Sequence, residues 1–114
     1  MTKLFVSPGR YIQEKGVIQH IGRFTLPLGQ RPFVLGDETV FSAVRDSCVE
    51  SFGEVRLVPR FELFGGECCW EEIHRLVSLV RQAGVDVIVG TGGGKALDTA
   101  KTVAWHTGLP IMTV

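Results

Sequence analysis

A glycine-rich stretch, GTGGGKALDTAK (residues 90–101), carries the clearest chemical signal in the chain. Four glycines fall within five residues, directly after the apolar run VDVIV, and Lys95 and a helical pattern follow. Glycines let a backbone turn tightly and approach a ligand closely. A helix that begins near Lys95 directs free N–H groups and the positive end of its dipole at the loop. The stretch therefore predicts a phosphate-binding loop; the alternative is a tight strand–helix turn whose glycines only allow close packing.

The stretch matches neither of the two common phosphate-loop patterns. The P-loop pattern, G-x4-G-K-[ST], needs a glycine at Val89 and a serine or threonine at Ala96. The dinucleotide pattern G-x-G-x-x-G fits Gly90 and Gly92, but its third glycine would stand at Lys95. A phosphate loop at this place must therefore be of another kind.

Two aspartates could contribute to such a site. Asp37 ends a predicted strand, where a carboxylate can accept hydrogen bonds from ribose hydroxyls and repel a 2′-phosphate, which favours NAD over NADP. It can equally be the N-cap of the helix that follows. Because Asp37 precedes Gly92 by 55 residues, the topology must be a variant of the usual dinucleotide domain. Asp98 lies near a helix N-terminus, and from the residues alone an ordinary surface pair with Lys101 explains it better than a role in a site.

Strand and helix patterns alternate along the chain. Strands are predicted at residues 31–37, 54–59, 85–90 and 109–114, helices at residues 38–52, 67–84 and 95–106, and a loop at residues 60–66. Gly53, Gly84 and Gly108 are predicted to end the helices. Nearer the start, KLFVS suggests an edge strand and GVIQHIGRFT a short helix. This alternation with short joints predicts an α/β domain, with a parallel sheet flanked by helices.

Each predicted helix has one apolar face. The faces consist of Phe41, Val44, Cys48 and Phe52; of Cys69, Ile73, Leu76, Val77, Val80 and Ala83; and of Ala96, Leu97, Ala100, Val103 and Ala104. An i,i+4 ion pair is predicted between Glu71 and Arg75. Trp70 and Trp105 are predicted to pack, His74 to lie at a boundary, and His20 and His106 to face solvent.

Composition narrows the class of protein. The 114 residues suit one small domain or part of one, and 12 basic against 12 acidic residues give no electrostatic case for nucleic acid or membrane binding. No apolar run approaches about 18 residues, so no membrane span is expected. The odd cysteine count, with Cys48 and the adjacent Cys68 and Cys69, favours reduced thiols and a cytoplasmic location. Without CxxC or HExxH, no metal site is expected within the chain.

Three stretches resemble glycerol dehydrogenases, of the iron-containing alcohol dehydrogenase and dehydroquinate synthase-like superfamily. GTGGGKALDTAK is similar to the GGGKxxDxAK motif of that family. SPGRYIQEKGVI (residues 7–18) is similar to its opening segment, and FGGECCWEEI (residues 64–73) to its F-G-G-E-C segment before a long helix. One departure is Thr91, which stands where a small apolar residue is usual between the first two glycines.

The resemblance implies a two-domain enzyme that oxidises glycerol to dihydroxyacetone and passes a hydride to NAD. Its N-terminal, Rossmann-like α/β domain binds NAD against a helical domain, which supplies one aspartate and two histidines to a zinc ion that polarises the substrate hydroxyl. Residue by residue, Asp37 matches the contact to the adenosine ribose, and Gly93, Gly94 and Lys95 match the pyrophosphate loop. Gly92 supports the turn of that loop and Asp98 matches the motif aspartate. The full-length enzyme is expected to be a cytoplasmic homo-oligomer.

The chain is expected to be the front part of a longer protein, because it stops inside a predicted strand. Residues 1–114 would then be an incomplete NAD-binding domain, without the helical metal-binding domain, without catalytic residues or metal ligands, and inactive alone. Two other readings stay open. One is a fragment of a glycerol-1-phosphate dehydrogenase-like enzyme, and the other is a non-catalytic nucleotide-binding module.

Overall fold

The computed structural model describes residues 4–6, 10–12 and 17–114, with side chains from Ile18 onward. The described residues include six strands: β1 (Leu4–Val6), β2 (Arg10–Ile12), β3 (Pro32–Gly36), β4 (Arg60–Leu63), β5 (Val87–Gly90) and β6 (Ile111–Thr113). The helices are α1 (Ile21–Thr25), which follows a 3-10 turn at Val17–His20, α2 (Glu38–Glu54), α3 (Trp70–Ala83) and α4 (Gly94–Thr107). The alternation of strands and helices confirms the predicted α/β class.

The strands form one sheet in the order β1-β2-β6-β5-β3-β4. Among these strands the β1–β2 pair is antiparallel. The other neighbouring pairs in this order, β2–β6, β6–β5, β5–β3 and β3–β4, are parallel. The edge strand predicted in KLFVS is confirmed as β1, and the short helix predicted in GVIQHIGRFT is confirmed as the 3-10 turn and α1. The motif SPGRYIQEKGVI lies mostly outside the described residues; only β2 and the start of the 3-10 turn fall within them.

Helices cover both faces of the sheet, and each face has its own core. On one face α1 and α2 pack through Ile21, Phe41, Cys48 and Phe52 against Val34, Val89 and Met112. On the other face α3 and α4 pack through Ile73, Leu76, Val77, Val80, Ala100, Val103 and Ala104 against Phe33, Leu35, Ile88 and Ile111. Because β3 and β5 lie between two helical layers, all their residues are buried, which explains their unbroken apolar runs.

The strand predicted at residues 54–59 is wrong. Helix α2 continues through Gly53 to Glu54, and the chain then turns at Arg56, whose φ is 62°. Val58, an apparent strand residue, is 86% exposed. The fourth strand instead occupies residues 60–63, which were predicted to be a loop, and pairs in parallel with β3. It is an edge strand, so polar and apolar residues alternate along it.

The predicted burial of the apolar helix faces is confirmed at the centres of the longer helices and is wrong at the ends of α3. Ile73, Leu76, Val77 and Val80 are buried, but Cys69 is the exposed N-cap residue of α3 and Ala83 is exposed at its end. Gly84 and Gly108 cap α3 and α4 with left-handed backbone, as predicted. The predicted packing of the tryptophans is wrong: Trp70 is 62% exposed and Trp105 79% exposed. Trp70 begins its helix, and its ring contacts those of His74 on α3 and His106 on α4.

None of the described helices combines the length and apolar character that crossing a bilayer would need.

We predict opposite effects of alanine at Gly53, which lies within α2, and at Gly84, which caps α3. A Cβ on Gly53 would meet no atom within 4 Å, and its backbone is helical, so Gly53→Ala should raise the free energy of unfolding by about 0.5–1 kcal/mol. Gly84 has the same open surroundings but a φ of 67°, so Gly84→Ala should lower the free energy of unfolding by about 1 kcal/mol. Urea unfolding midpoints of both variants would test this, and a change of the same sign in both would contradict it.

Candidate functional site

The carboxyl ends of β3 and β5 form a crevice at the centre of the sheet. From β3 the chain passes to β4 on one side, and from β5 it passes to β6 on the other side. Helix α2 leaves β3 on one face of the sheet, and α4 leaves β5 on the opposite face. In open parallel sheets this reversal of strand order leaves a crevice between the two departing loops, and ligands bind there.

The structure brings Asp37 and Gly92 together across this crevice. Gly92 has a φ of 108°, which only glycine adopts easily, and a Cβ at this residue would lie 3.2 Å from Asp37 Oδ2. The other oxygen, Asp37 Oδ1, accepts a hydrogen bond of 2.8 Å from the Val40 amide and caps α2. Both readings of Asp37 from the sequence are therefore compatible, because one carboxylate oxygen caps the helix while the other faces the glycine loop.

Gly93 and Gly94 line an open part of the loop. Gly93 is the N-cap of α4, its backbone is extended, and no side chain caps the helix. A Cβ at either glycine would meet nothing within 4 Å, so packing inside this domain does not explain the lack of side chains. The first intrahelical bond runs from Leu97 N–H to Gly93 O, which leaves the N–H groups of the first turn without intrahelical partners.

Gly90 and Thr91 fix the start of the loop. A Cβ on Gly90 would lie 2.8 Å from that of Ala100, so this glycine permits close packing of α4 on β5. Thr91 is buried, and both its N–H and its hydroxyl donate to Leu35 O, at 2.8 and 3.1 Å. The hydroxyl of Thr91, a departure from the residue usual in the family motif, thus attaches the loop to β3.

The side chain of Lys95 is 65% exposed at the start of α4, where its Nζ lies 3.0 Å from Glu67 Oε1. Asp98 is the fifth residue of α4 and also exposed, and its carbonyl accepts a bond from the Thr102 hydroxyl. The structure thus gathers Asp37, Gly92, Gly93, Gly94 and Lys95 around one crevice and leaves Asp98 on the second turn of the helix. Glu67 is a residue of the site that sequence reasoning did not select, although it lies in the F-G-G-E-C segment.

An ion pair between the exposed Arg75 and the buried Glu72 holds the loop between β4 and α3. Arg75 donates to Glu72 Oε1 and Oε2 at 2.7 and 2.8 Å, to Glu62 Oε2 at 3.0 Å and to the carbonyl of Leu63 at 2.9 Å. Glu72 Oε2 also accepts from the Gly65 amide. These bonds tie the end of β4, the loop and the first turns of α3 into one unit.

The predicted pair between Glu71 and Arg75 is wrong, because the partner of Arg75 on α3 is Glu72. Glu72 is only 9% exposed, and the hydrogen bonds from Arg75 lower the pKa of its carboxyl, against the opposing effect of burial. The same bonds raise the pKa of the Arg75 guanidinium. On the other face of the sheet, burial raises the pKa of the Cys48 thiol to about 11, so this cysteine stays protonated.

Two further features lie near the crevice. A cavity of about 470 Å³ is lined by residues of α2 and β4, including Glu38, Phe41 and Phe61. The hydroxyl of Thr113, at the carboxyl end of β6, is buried and has no hydrogen-bond partner within the described part of the chain. No group of three or more His, Cys, Asp or Glu side chains suited to a metal ion occurs among the residues with a described position.

The model of the iron-containing alcohol dehydrogenase family matches residues 8–113. A glycerol dehydrogenase from Escherichia coli O6:H1 is 40% identical over 97% of the chain and 30% of its own length. A glycolaldehyde reductase from Halobacterium salinarum is 38% identical over 95% of the chain and 30% of its own length. The chain thus spans about 30% of these curated relatives.

The fold is also shared with a solved structure. The crystal structure of a probable glycerol dehydrogenase from Sinorhizobium meliloti 1021 matches with a TM-score of 0.78 and 43% sequence identity. That match covers 90% of this chain and 27% of the other. Together these matches confirm the resemblance found in the three sequence motifs.

We predict that Glu72→Gln lowers the stability of the domain at neutral pH by about 1–3 kcal/mol, because it removes a charge-assisted hydrogen bond in a buried setting. The pKa of Glu72 is lowered in the folded state, so its ionised form stabilises the fold above the unfolded value of about 4.5. This contribution is lost as the pH falls from there through the folded pKa. Urea unfolding between pH 3 and pH 7 should show a smaller pH dependence in Glu72→Gln than in the wild type.

The exposed Glu50→Gln variant is the matched control, and it should unfold like the wild type at every pH. An unchanged pH profile in Glu72→Gln would contradict the assignment.

Proposed function

Because the chain belongs to the iron-containing alcohol dehydrogenase family, we propose that it forms the NAD-binding part of an enzyme that oxidises glycerol to dihydroxyacetone. The observation that carries the proposal is the open glycine loop at the start of α4, which faces Asp37 at the point where the strand order reverses. NAD, when bound, accepts the hydride from the substrate carbon. The described residues bind and orient the dinucleotide.

The pyrophosphate would lie on the loop formed by Gly92, Gly93, Gly94 and Lys95. Backbone N–H groups at the start of α4 would donate to the phosphate oxygens, and the helix dipole favours the negative charge there. The missing side chains of Gly93 and Gly94 leave room for a phosphate to approach the backbone. Lys95 adds a mobile positive charge from the rim, because most of its side chain is in solvent.

Asp37 would bind the ribose of the adenosine. Its Oδ2 lies toward the loop while Oδ1 is held by the Val40 amide, so the carboxylate is fixed in direction before a ligand arrives. An ionised carboxylate accepts hydrogen bonds from both ribose hydroxyls and repels a 2′-phosphate. The site should therefore prefer NAD to NADP. Asp98 would shape the site from the second turn of α4.

The metal of the family does not fit the described residues, which contain no suitable group of ligands. We propose that the zinc ligands lie in a helical domain of the full-length enzyme, and that this enzyme is a cytoplasmic homo-oligomer. The proposed cytoplasmic location is consistent with the cysteines, because Cys48, Cys68 and Cys69 are all free thiols.

A second candidate is the reduction of glycolaldehyde, which is favoured by the similarity to the reductase from Halobacterium salinarum. A third is the oxidation of glycerol 1-phosphate, which would require further cationic groups near the nicotinamide. Assays of the full-length enzyme with NAD(H) on glycerol, glycolaldehyde and glycerol 1-phosphate would separate the three. Activity on none of them, with NAD bound, would favour a non-catalytic nucleotide-binding module.

We predict that Lys95→Gln weakens NAD binding to the full-length enzyme by about tenfold or more, since a charge-assisted bond to a phosphate contributes about 1.5–3 kcal/mol. Calorimetric titration with NAD measures the change. The matched control is Lys101→Gln, which removes the same charge six residues further along α4, about 9 Å away along the helix axis. Equal losses in both variants would point to a general electrostatic effect and against a pyrophosphate contact at Lys95.

Asp37 can be tested with two substitutions that separate its roles. Asn is as good an N-cap as Asp, so Asp37→Asn should keep the stability of the fold. Because Asn carries no charge, the ratio of the affinity for NAD to that for NADP should fall about tenfold. Asp37→Ala should also lower the free energy of unfolding by about 1 kcal/mol. Urea unfolding and titrations with both cofactors measure the two effects. An unchanged ratio of affinities in Asp37→Asn would assign this residue to helix capping alone.

A further inference from the structure

We infer that Glu67 competes with the cofactor's pyrophosphate for Lys95 and so limits the affinity of the site. The inference rests on the proposed function, because it concerns the same loop. Its physical basis is the ion pair between Lys95 Nζ and Glu67 Oε1, which are 3.0 Å apart at the rim of the crevice.

Glu67 is brought to this rim by a loop that is anchored on both sides. Before it, the Phe64 amide donates to Gly36 O at 2.8 Å, and the Gly65 amide donates to Glu72 Oε2. A Cβ on Gly65 would lie 2.8 Å from that carboxylate oxygen, so a larger residue here would require the Glu72 carboxylate to shift. After Glu67, helix α3 begins at Trp70. The backbone at Glu67 is thus held between two fixed points close to the start of α4.

The side chain of Glu67 presents to Lys95 the same kind of group as a phosphate does, an anionic oxygen that accepts hydrogen bonds. Both partners are largely in solvent, with side-chain exposures of 72% for Glu67 and 65% for Lys95, so they can separate without moving the fold. A pyrophosphate on the glycine loop would attract the ammonium of Lys95 away from Glu67. Each binding event must then break the ion pair, and the free energy of that pair reduces the net free energy of cofactor binding.

The competition predicts tighter binding when the carboxylate is removed. Exposed ion pairs are weak, so Glu67→Gln should lower the Kd of the full-length enzyme for NAD by about two- to fivefold at low salt. Salt screens the ion pair as well as the cofactor contact. The ratio of the wild-type Kd to the Glu67→Gln Kd should therefore fall toward one as NaCl rises to about 1 M, where the Debye length is about 3 Å.

A double-mutant cycle tests whether the effect passes through Lys95. Calorimetric titrations with NAD, and separately with inorganic pyrophosphate, are made on the wild type, Glu67→Gln, Lys95→Gln and the double variant. The gain from Glu67→Gln should disappear in the Lys95→Gln background. Glu71→Gln is the matched control, since it removes a carboxylate close by on the first turn of α3 and should not tighten binding.

The outcomes separate this inference from the proposed function. Weaker or unchanged binding in Glu67→Gln, or the same gain with and without Lys95, would overturn the competition while leaving the NAD site in place. A wild type that does not bind NAD would overturn the proposed function. The pyrophosphate cycle would then still decide whether Glu67 competes with anions for Lys95, and no coupling between the two residues in that cycle would overturn the inference.

Discussion

The parallel pairing of β3 with β5 is the contact on which the candidate site depends. Leu35 pairs with Gly90 although the two are 55 residues apart in the chain. Thr91 extends the pairing, because its amide and its buried hydroxyl both donate to the Leu35 carbonyl. A shift of one residue in this register would turn the apolar side chains of β5 to the wrong faces. The register therefore also fixes the distance between Asp37 and Gly92, which follow the ends of the two strands.

Two helical layers make this pairing possible and also open the crevice. Helix α2 leaves β3 toward one face, and α4 leaves β5 toward the other, so the loops that start them diverge. The sequence predicts this much, because the apolar runs at residues 31–37 and 85–90 are unbroken and the helical faces are regular. The same patterns predict the positions of Asp37 and of Gly92 at strand ends. These patterns cannot predict that Asp37 and Gly92 meet, because hydrophobic periodicity does not determine the order of the strands in the sheet.

The errors of the sequence analysis have a common cause, which is that tertiary contacts override local patterns. Residues 54–59 and residues 60–63 both contain alternating polar and apolar side chains, and only the second segment pairs with β3 at the edge of the sheet. The choice of Glu72 over Glu71 as the partner of Arg75 depends on the close approach of Gly65 to the Glu72 carboxylate. Such an approach is set by the path of a loop, which a single sequence does not define.

The charge around the glycine loop shows what kind of attraction the site must use. Asp37 lies on one side of the loop and Glu67 on the other, while Lys95 is the only cation that the described contacts place on it. With two carboxylates and one ammonium, net charge does not favour a dianionic pyrophosphate. In the proposed site, the attraction for a pyrophosphate would come mainly from the free N–H groups and the dipole at the start of α4, at short range. Such a role would account for the absence of side chains at Gly93 and Gly94, where packing would permit them, because a phosphate would have to reach the backbone itself.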